Sequence, residues 1–110
     1  MSSKNSLNGT LAMLLIQLLS ERDMYGYQMI ETLRERSNDV FHLKAGTLYP
    51  ILHELERDGI LEAYSDGGAS SGRMKIYYHL TDQGKKVLRR KTNEWNSYMT
   101  AVNQVLSWEG

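Results

Sequence analysis

KAGTLYPILHELERDGI, residues 44–60, is the stretch of sequence that decides the fold. Four aliphatic residues in it recur with the i, i+3, i+4, i+7 spacing that gives a helix a single apolar stripe: Leu48, Ile51, Leu52 and Leu55. Gly59 ends the pattern, because glycine tolerates the left-handed conformation in which many helices stop. We therefore predict a helix that is fixed to a core along one side and presents Thr47, Tyr49 and His53 elsewhere.

The sequence on either side of this helix predicts a winged helix-turn-helix. Downstream, LEAYS at 61–65 and RMKIYYHL at 73–80 form two short strands around a glycine- and serine-rich turn. Upstream, a second helix opens at Tyr25-Gly26-Tyr27 and ends near Ser37, and a short connection joins it to the third helix. This order is typical of the fold, in which the third helix is the recognition element. We expect a mainly α chain with a small β-hairpin, and duplex DNA as its ligand.

Pro50 is an obstacle to a regular third helix, because proline lacks an amide proton and its ring crowds the preceding turn. The residue four positions before it, Gly46, is close to the expected helix start. We therefore predict that Pro50 lies in the first two turns, where fewer amides have partners within the helix.

The first and last helices are predicted to join two subunits. Residues 7–20 are apolar nearly all round the cylinder, so that the helix they form needs partners on more than one side. The last helix is expected to start at Thr81-Asp82, with Thr81 as its cap, and to run to about Ser107. At about 1.5 Å per residue it is longer than the rest of the domain can cover.

Apolar residues in this last helix recur at seven-residue intervals, at Leu88, Trp95 and Val102, as they do in helices that pack on a partner helix. We expect a winged helix-turn-helix DNA-binding domain at residues 1–80 and a dimerisation helix at residues 81–110. A long helix that only covers its own domain is the alternative.

Charge is distributed unevenly along a chain whose net charge is zero. Residues 21–66 carry ten anions and five cations, whereas residues 67–91 carry seven cations and one anion. Affinity for DNA depends largely on Lys and Arg. Because the recognition helix lies in the acidic segment, most of the affinity must come from other parts of the protein. Arg73 and Lys75 alternate with Met74 and Ile76 along one arm of the hairpin, which predicts that both cations face away from the core.

Several classes of protein are excluded or disfavoured by composition. There is no cysteine, and the three histidines, His42, His53 and His79, have no metal-ligand spacing. No glycine-rich phosphate loop and no nucleophile constellation is present, so we expect neither an enzyme nor a cofactor or metal. Without a secretory signal the expected location is cytoplasmic. A winged-helix module that binds proteins and not DNA is the main alternative, since the 54–66 segment is anionic.

Three motifs resemble those of PadR-family transcriptional regulators: MYGYQMIETL at 24–33, GTLYPILHELERDGIL at 46–61 and GRMKIYYHLTDQGKKVL at 72–88. The single C-terminal helix resembles the branch of that family with a short tail. The resemblance implies a homodimer, usually a repressor, that joins through its first and last helices and binds a pseudo-palindromic operator. The hairpin carries fewer cations than that of many relatives, which bears on how firmly it is anchored to DNA.

The resemblance and the helix geometry together give the candidate DNA-binding residues. The N-terminal end of the recognition helix would enter the major groove with Lys44, Thr47 and Tyr49, and His53 is a further candidate on the same helix. Arg73, Lys75 and the Ser70-Ser71-Gly72 turn would reach the backbone or the adjacent minor groove. Three local alternatives stay open: Tyr49 packs under the wing, which is the β-hairpin at residues 61–80, Thr47 only caps the helix, or His53 is an ordinary surface or core histidine.

An effector site is expected beside Trp95. In drug-sensing relatives a tryptophan at a similar place in the last helix flanks a flat aromatic ligand between the subunits. Met99 lies one turn away, and Met13 and Gln17 of the first helix are expected on the other side. Methionine and aromatic side chains form adaptable apolar pockets, so that a planar hydrophobic compound is the expected ligand. The alternative is that Trp95 belongs to the dimer core.

Overall fold

Four helices and three short strands make up the computed structural model, which describes residues 7–68 and 72–109. The mainly α fold with a small sheet is confirmed. In chain order the elements are α1 (Leu7–Glu21), β1 (Met24–Tyr25), α2 (Gly26–Arg36), α3 (Ala45–Arg57), β2 (Leu61–Ser65), β3 (Ile76–Leu80) and α4 (Asp82–Leu106).

Strand β1 makes the sheet three-stranded, where the sequence predicted a hairpin alone. The strand order is β1-β3-β2 and both pairings are antiparallel, with Tyr25 opposite Tyr77 and Tyr77 opposite Tyr64. A strand of two residues is too short to show the alternation by which strands are recognised. The extra strand joins the start of α2 directly to the wing.

One apolar core holds the helices and one face of the sheet together. Helix α1 is its centre, and the stripe of α3 is buried as predicted. The fully buried side chains are Leu15, Ile16, Leu18, Met24, Met29, Leu48, Leu52, Leu61 and Leu80. Within the described residues, no helix is long and apolar enough to cross a membrane.

The boundaries of α3 agree with the sequence pattern. Gly59 has a φ of +79° directly after the C-cap residue Asp58, as expected for a glycine stop. Pro50 is the sixth residue of the helix and therefore lies within its first two turns. Its missing amide proton would have bonded to the carbonyl of Gly46, the second helical residue, so that the helix continues past the proline with one hydrogen bond fewer.

Helix α4 is held at its start and extends away at its end. The Thr81 hydroxyl accepts a hydrogen bond of 3.0 Å from the amide of Gly84, which confirms the predicted cap. Val87 and Leu88 still pack on the core, but the side chains of Val105 and Leu106 are 74% and 77% exposed. The principal extents of 63 × 29 × 24 Å reflect this projection.

Candidate nucleic-acid interface

The N-terminal end of α3 is open to solvent. Lys44 is the N-cap residue with an extended backbone, and its carbonyl accepts hydrogen bonds of 3.0 Å from the amides of Thr47 and Leu48. No side chain in the described part of the molecule caps this end. Lys44, Ala45 and Thr47 are all exposed. The first amides, the positive end of the helix dipole and an ammonium group are thus available to a phosphate, and Thr47 is not the cap.

Tyr49 points towards α2. A Cβ atom built on Gly26 would lie 2.3 Å from the Tyr49 hydroxyl and 2.8 Å from Cζ, so that the phenol rests directly on the glycine backbone. Its ring centroid is 6.2 Å from that of His53, and 38% of the side chain is exposed. Although it was expected to bind DNA, its ring is thus engaged with its own domain.

Arg57 is a second cation, besides Lys44, near the positions of α3 that are expected to face DNA. It lies on the outer side of the helix and was not selected from the sequence. Gly46, Pro50, His53 and Arg57 are exposed and lie opposite the apolar stripe, at i, i+4, i+7 and i+11. We call this set the outer ridge. The helical spacing that located the stripe would also have located Arg57. The small residues at positions 46 and 50 leave room for a close approach to a ligand at the N-terminal half of the ridge.

Residues 73–76 of the wing do not show the predicted alternation of outward-facing cations with core-facing apolar side chains. Strand β3 begins only at Ile76, and Met74 and Ile76 are 68% and 44% exposed, so neither of them faces a core. Lys75 folds over the sheet, with Nζ 4.7 Å from the centroid of the Tyr25 ring. Both cations nevertheless lie away from the core, as predicted, because Arg73 is exposed and Lys75 rests on Tyr25 at the outer face of the sheet.

Asp66 shapes the base of the wing turn. Its carboxylate accepts hydrogen bonds from the amides of Gly68, at 2.8 Å, and Lys75, at 3.0 Å, and its own amide donates to the carbonyl of Lys75. Gly72 has a φ of +76°, which favours glycine there. Ser70 and Ser71 of the predicted contact turn lie outside the described residues.

The outer face of the sheet carries a row of tyrosines that the sequence analysis missed. The Tyr64 and Tyr77 rings stack at 5.7 Å, and the Tyr25 ring meets Tyr77 edge-on at 5.4 Å. At one end of this row Asp23 accepts a hydrogen bond from Tyr64 and lies 2.8 Å from Nδ1 of His79. Partial burial raises the pKa of Asp23, but the bonds from Tyr64 and His79 outweigh it and leave the pKa below its ordinary value.

A cavity of about 370 Å³ lies between α1 and α4 and brings together two of the four predicted effector residues. Met13 and Trp95 line it, together with Gly9, Thr10, Arg90, Lys91 and Glu94. Gln17 instead donates to Glu21 on the surface of α1 at 3.1 Å, and neither Gln17 nor Met99 is among the lining residues. The cavity is therefore more polar than the sequence indicated, since three charged side chains border it.

Comparison with known proteins places these features in a family context. The model of the transcriptional regulator PadR-like family matches residues 15–90. An uncharacterized protein of Lysinibacillus sphaericus is 35% identical over 89 residues, which is 81% of each chain.

Solved structures resemble the whole fold. The crystal structure of a PadR family transcription regulator from Clostridium difficile R20291 is 35% identical, covers 90% of this chain and 100% of its own, and superimposes with a TM-score of 0.81. A PadR family transcriptional regulator from Eggerthella lenta DSM 2243 is 33% identical, with 92% and 85% coverage and a TM-score of 0.80. A transcriptional regulator from Clostridium thermocellum is 26% identical, with 91% and 96% coverage and a TM-score of 0.82.

Proposed function

Because the chain belongs to the PadR-like family of transcriptional regulators, we propose that it is a homodimeric repressor that binds a pseudo-palindromic operator. Proteins of this family are DNA-binding regulators without enzymatic activity, so that the chain is not an enzyme. Dimerisation, repression and the response to an effector are the finer parts of the proposal, and each has its own support in the structure.

The exposed apolar stripe on the second half of α4 carries the dimeric part of this proposal. Its members recur at i, i+3, i+4, i+7 and i+8: Tyr98, Ala101, Val102, Val105 and Leu106. A continuous apolar stripe of this kind on a soluble chain marks a surface that another protein covers. A second copy is the natural occupant, because a two-fold axis lets the same stripe serve both subunits. Residues 81–110 then act as the dimerisation helix.

The contact surface for DNA would combine α3 with the wing. Lys44 and Thr47 are exposed at the uncapped end of α3, where free amides favour a phosphate, and His53 lies on the outer ridge behind them. Arg73 is exposed on the wing and would reach the backbone, with Lys75 beside it. In a dimer the two recognition helices would lie about 34 Å apart, one turn of the duplex.

The cavity beside Trp95 is the proposed effector site, and its ligand would be a planar hydrophobic molecule. Trp95 and Met13 offer apolar surface for such a ring system. The site adjoins both α1 and α4, the helices proposed to join the subunits, so that a bound ligand would change the relative position of the two recognition helices and relieve repression.

Binding to duplexes that tile the promoter of the protein's own gene tests the central part of this function. We expect one duplex to bind well above a scrambled duplex of equal length, with an affinity that falls as salt rises. Equal and weak binding to all duplexes would favour the protein-interaction module. In a separate experiment in cells, a reporter gene behind the bound promoter should be more active when the regulator is absent, as repression requires.

Tryptophan fluorescence tests the effector site. In a Trp108→Phe background Trp95 is the single tryptophan, so that quenching by a planar aromatic compound reports binding beside it. We expect saturable quenching that is lost in the Met13→Glu variant of the same background. If a panel of planar compounds causes no saturable quenching, Trp95 is a residue of the dimer core.

A further inference from the structure

Gly26 and Tyr49 form a close contact between the two helices of the helix-turn-helix. Gly26 is buried as the first residue of α2, and Tyr49 is in the second turn of α3. A Cβ on Gly26 would lie 2.3 Å from the Tyr49 hydroxyl, 2.8 Å from its Cζ and 3.3 Å from Cδ2 of Leu48. Since real Cβ atoms do not approach other atoms so closely, the position that the Tyr49 ring occupies here leaves room only for glycine at position 26.

Tyr49 is suited to fix the rotation of α3 about its axis, because it lies between a residue that packs in the core and a residue on the outer ridge. Leu48 before it is fully buried and holds α3 on the core, while His53 one turn later lies on the outer ridge. The phenol occupies the flank between them and ends on the backbone of α2. A rigid ring between a core contact and a ligand-facing ridge resists rotation of the helix about its own axis.

We propose that Tyr49 is a positioning residue and not a base contact: seated on Gly26, its ring sets the orientation in which α3 presents its N-terminal end and outer ridge to DNA. This inference rests on the proposed function, since it assumes that α3 reads the operator. It replaces the expectation that Tyr49 itself reaches phosphates or base edges. Gly26, on the helix before, then becomes a determinant of operator specificity without touching DNA.

Three variants separate positioning from contact: Gly26→Ala, Tyr49→Leu and the double variant. The alanine methyl collides with the phenol, whereas the shorter leucine side chain leaves space for the methyl. If Tyr49 positions α3, the double variant binds the operator more tightly than Gly26→Ala alone, because the second change relieves the first. If Tyr49 contacts DNA, the double variant binds more weakly than either single variant, because a lost contact adds to a displaced helix.

The readout is the ratio of affinity for the operator to affinity for a scrambled duplex, measured by fluorescence anisotropy well below each melting temperature. Gly26→Ala should lower this ratio about tenfold or more, as overpacking in a close contact displaces α3. The double variant should recover most of the ratio. A ratio that is unchanged in Gly26→Ala, or that is lowest in the double variant, overturns the inference.

If Gly26→Ala folds poorly, thermal unfolding of the same variants still tests whether Gly26 and Tyr49 are coupled. The melting temperature of the double variant should then exceed that of Gly26→Ala, since the collision is absent from it. Additive losses in melting temperature would show that the two residues are not coupled and would also overturn the inference. Failure of the proposed function looks different: the wild-type chain would then show no preference for any promoter duplex, whatever the coupling in stability.

Discussion

The phenolic hydroxyl of Tyr64 donates a hydrogen bond of 2.6 Å to Asp23, and this bond ties strand β2 to the residue that precedes β1, across the intervening strand β3. His79 of β3 approaches the other carboxylate oxygen at 2.8 Å. A single carboxylate thus connects the three strands of the sheet to the α1–α2 connection. The orientation of the wing depends on this cluster as well as on the backbone ladder.

Asp23→Asn should lower the free energy of unfolding at neutral pH by about 1.5 to 3 kcal/mol, the usual loss for a hydrogen bond to a charged group. Because the folded pKa of Asp23 is below its ordinary value, the charged form contributes stability above about pH 4 and loses it as pH falls through the folded pKa. Urea unfolding at a series of pH values measures the difference between wild type and variant. This difference should shrink on acidification.

Tyr64→Phe is the matched variant, since it keeps the ring that stacks on Tyr77 and removes only the hydroxyl. It should reproduce a large part of the Asp23→Asn loss. Because the bond to Asp23 raises the pKa of Tyr64, its contribution persists at neutral pH and is lost only as pH rises above about 10. A wild-type stability advantage over Asp23→Asn that stays constant down to the acid limit would contradict this description of the cluster.

Gly84→Ala should destabilise the fold by about 1 to 3 kcal/mol, as overpacking does. A Cβ at position 84 would lie 2.4 Å from the carbonyl oxygen of Ile60 and 2.5 Å from Cδ1 of Leu80, so that α4 would have to move off the end of the sheet. Gly46→Ala is the control, because a Cβ there would meet no atom within 4 Å apart from its chain neighbours and the backbone of its own helix. It should leave the urea midpoint unchanged or raise it. Equal midpoints for both variants would refute the close contact.

Val102→Glu should convert the proposed dimer into monomers, because it places a charge in the middle of the apolar stripe of α4. Thr100→Glu adds the same charge on the opposite, exposed side of the helix and should leave the dimer intact. Sedimentation velocity at micromolar concentration distinguishes the two. If both variants sediment like the wild type, the stripe is not the dimer surface.

Arg73→Ala should weaken operator binding and lower the slope of log affinity against log salt by about one, as expected for the loss of one phosphate contact. Arg73→Lys retains the charge and should retain the slope. Gel shifts at four or five salt concentrations give both slopes. An affinity and slope identical to the wild type in Arg73→Ala would remove the wing cation from the DNA contact surface.

Much of the fold was predictable because it depends on local patterns. The apolar stripe, the stop at Gly59 and the cap at Thr81 are each encoded within a few residues, and all three are as predicted. Strand β1 was missed because it consists of two residues and is stabilised by Tyr77 and Tyr78, more than fifty positions later in the chain.

The candidate site was predictable only in part, for the same reason. The exposed positions of Lys44 and Thr47 follow from the helix pattern, whereas Tyr49 and Lys75 depend on partners from other elements. Helical periodicity states on which side of α3 a residue lies, but not that its neighbour across the interface is a glycine. A contact between Tyr49 and Gly26 can be read only from the folded chain.

The stoichiometry of the DNA complex tests the central claim most directly. The promoter duplex that binds best would be titrated at concentrations above its dissociation constant, and the mass of the complex measured by sedimentation equilibrium. A salt-sensitive complex of two chains with one duplex, absent for the scrambled duplex, is the result that a homodimeric operator-binding regulator predicts. A single chain per duplex, or no preference between the duplexes, would contradict it.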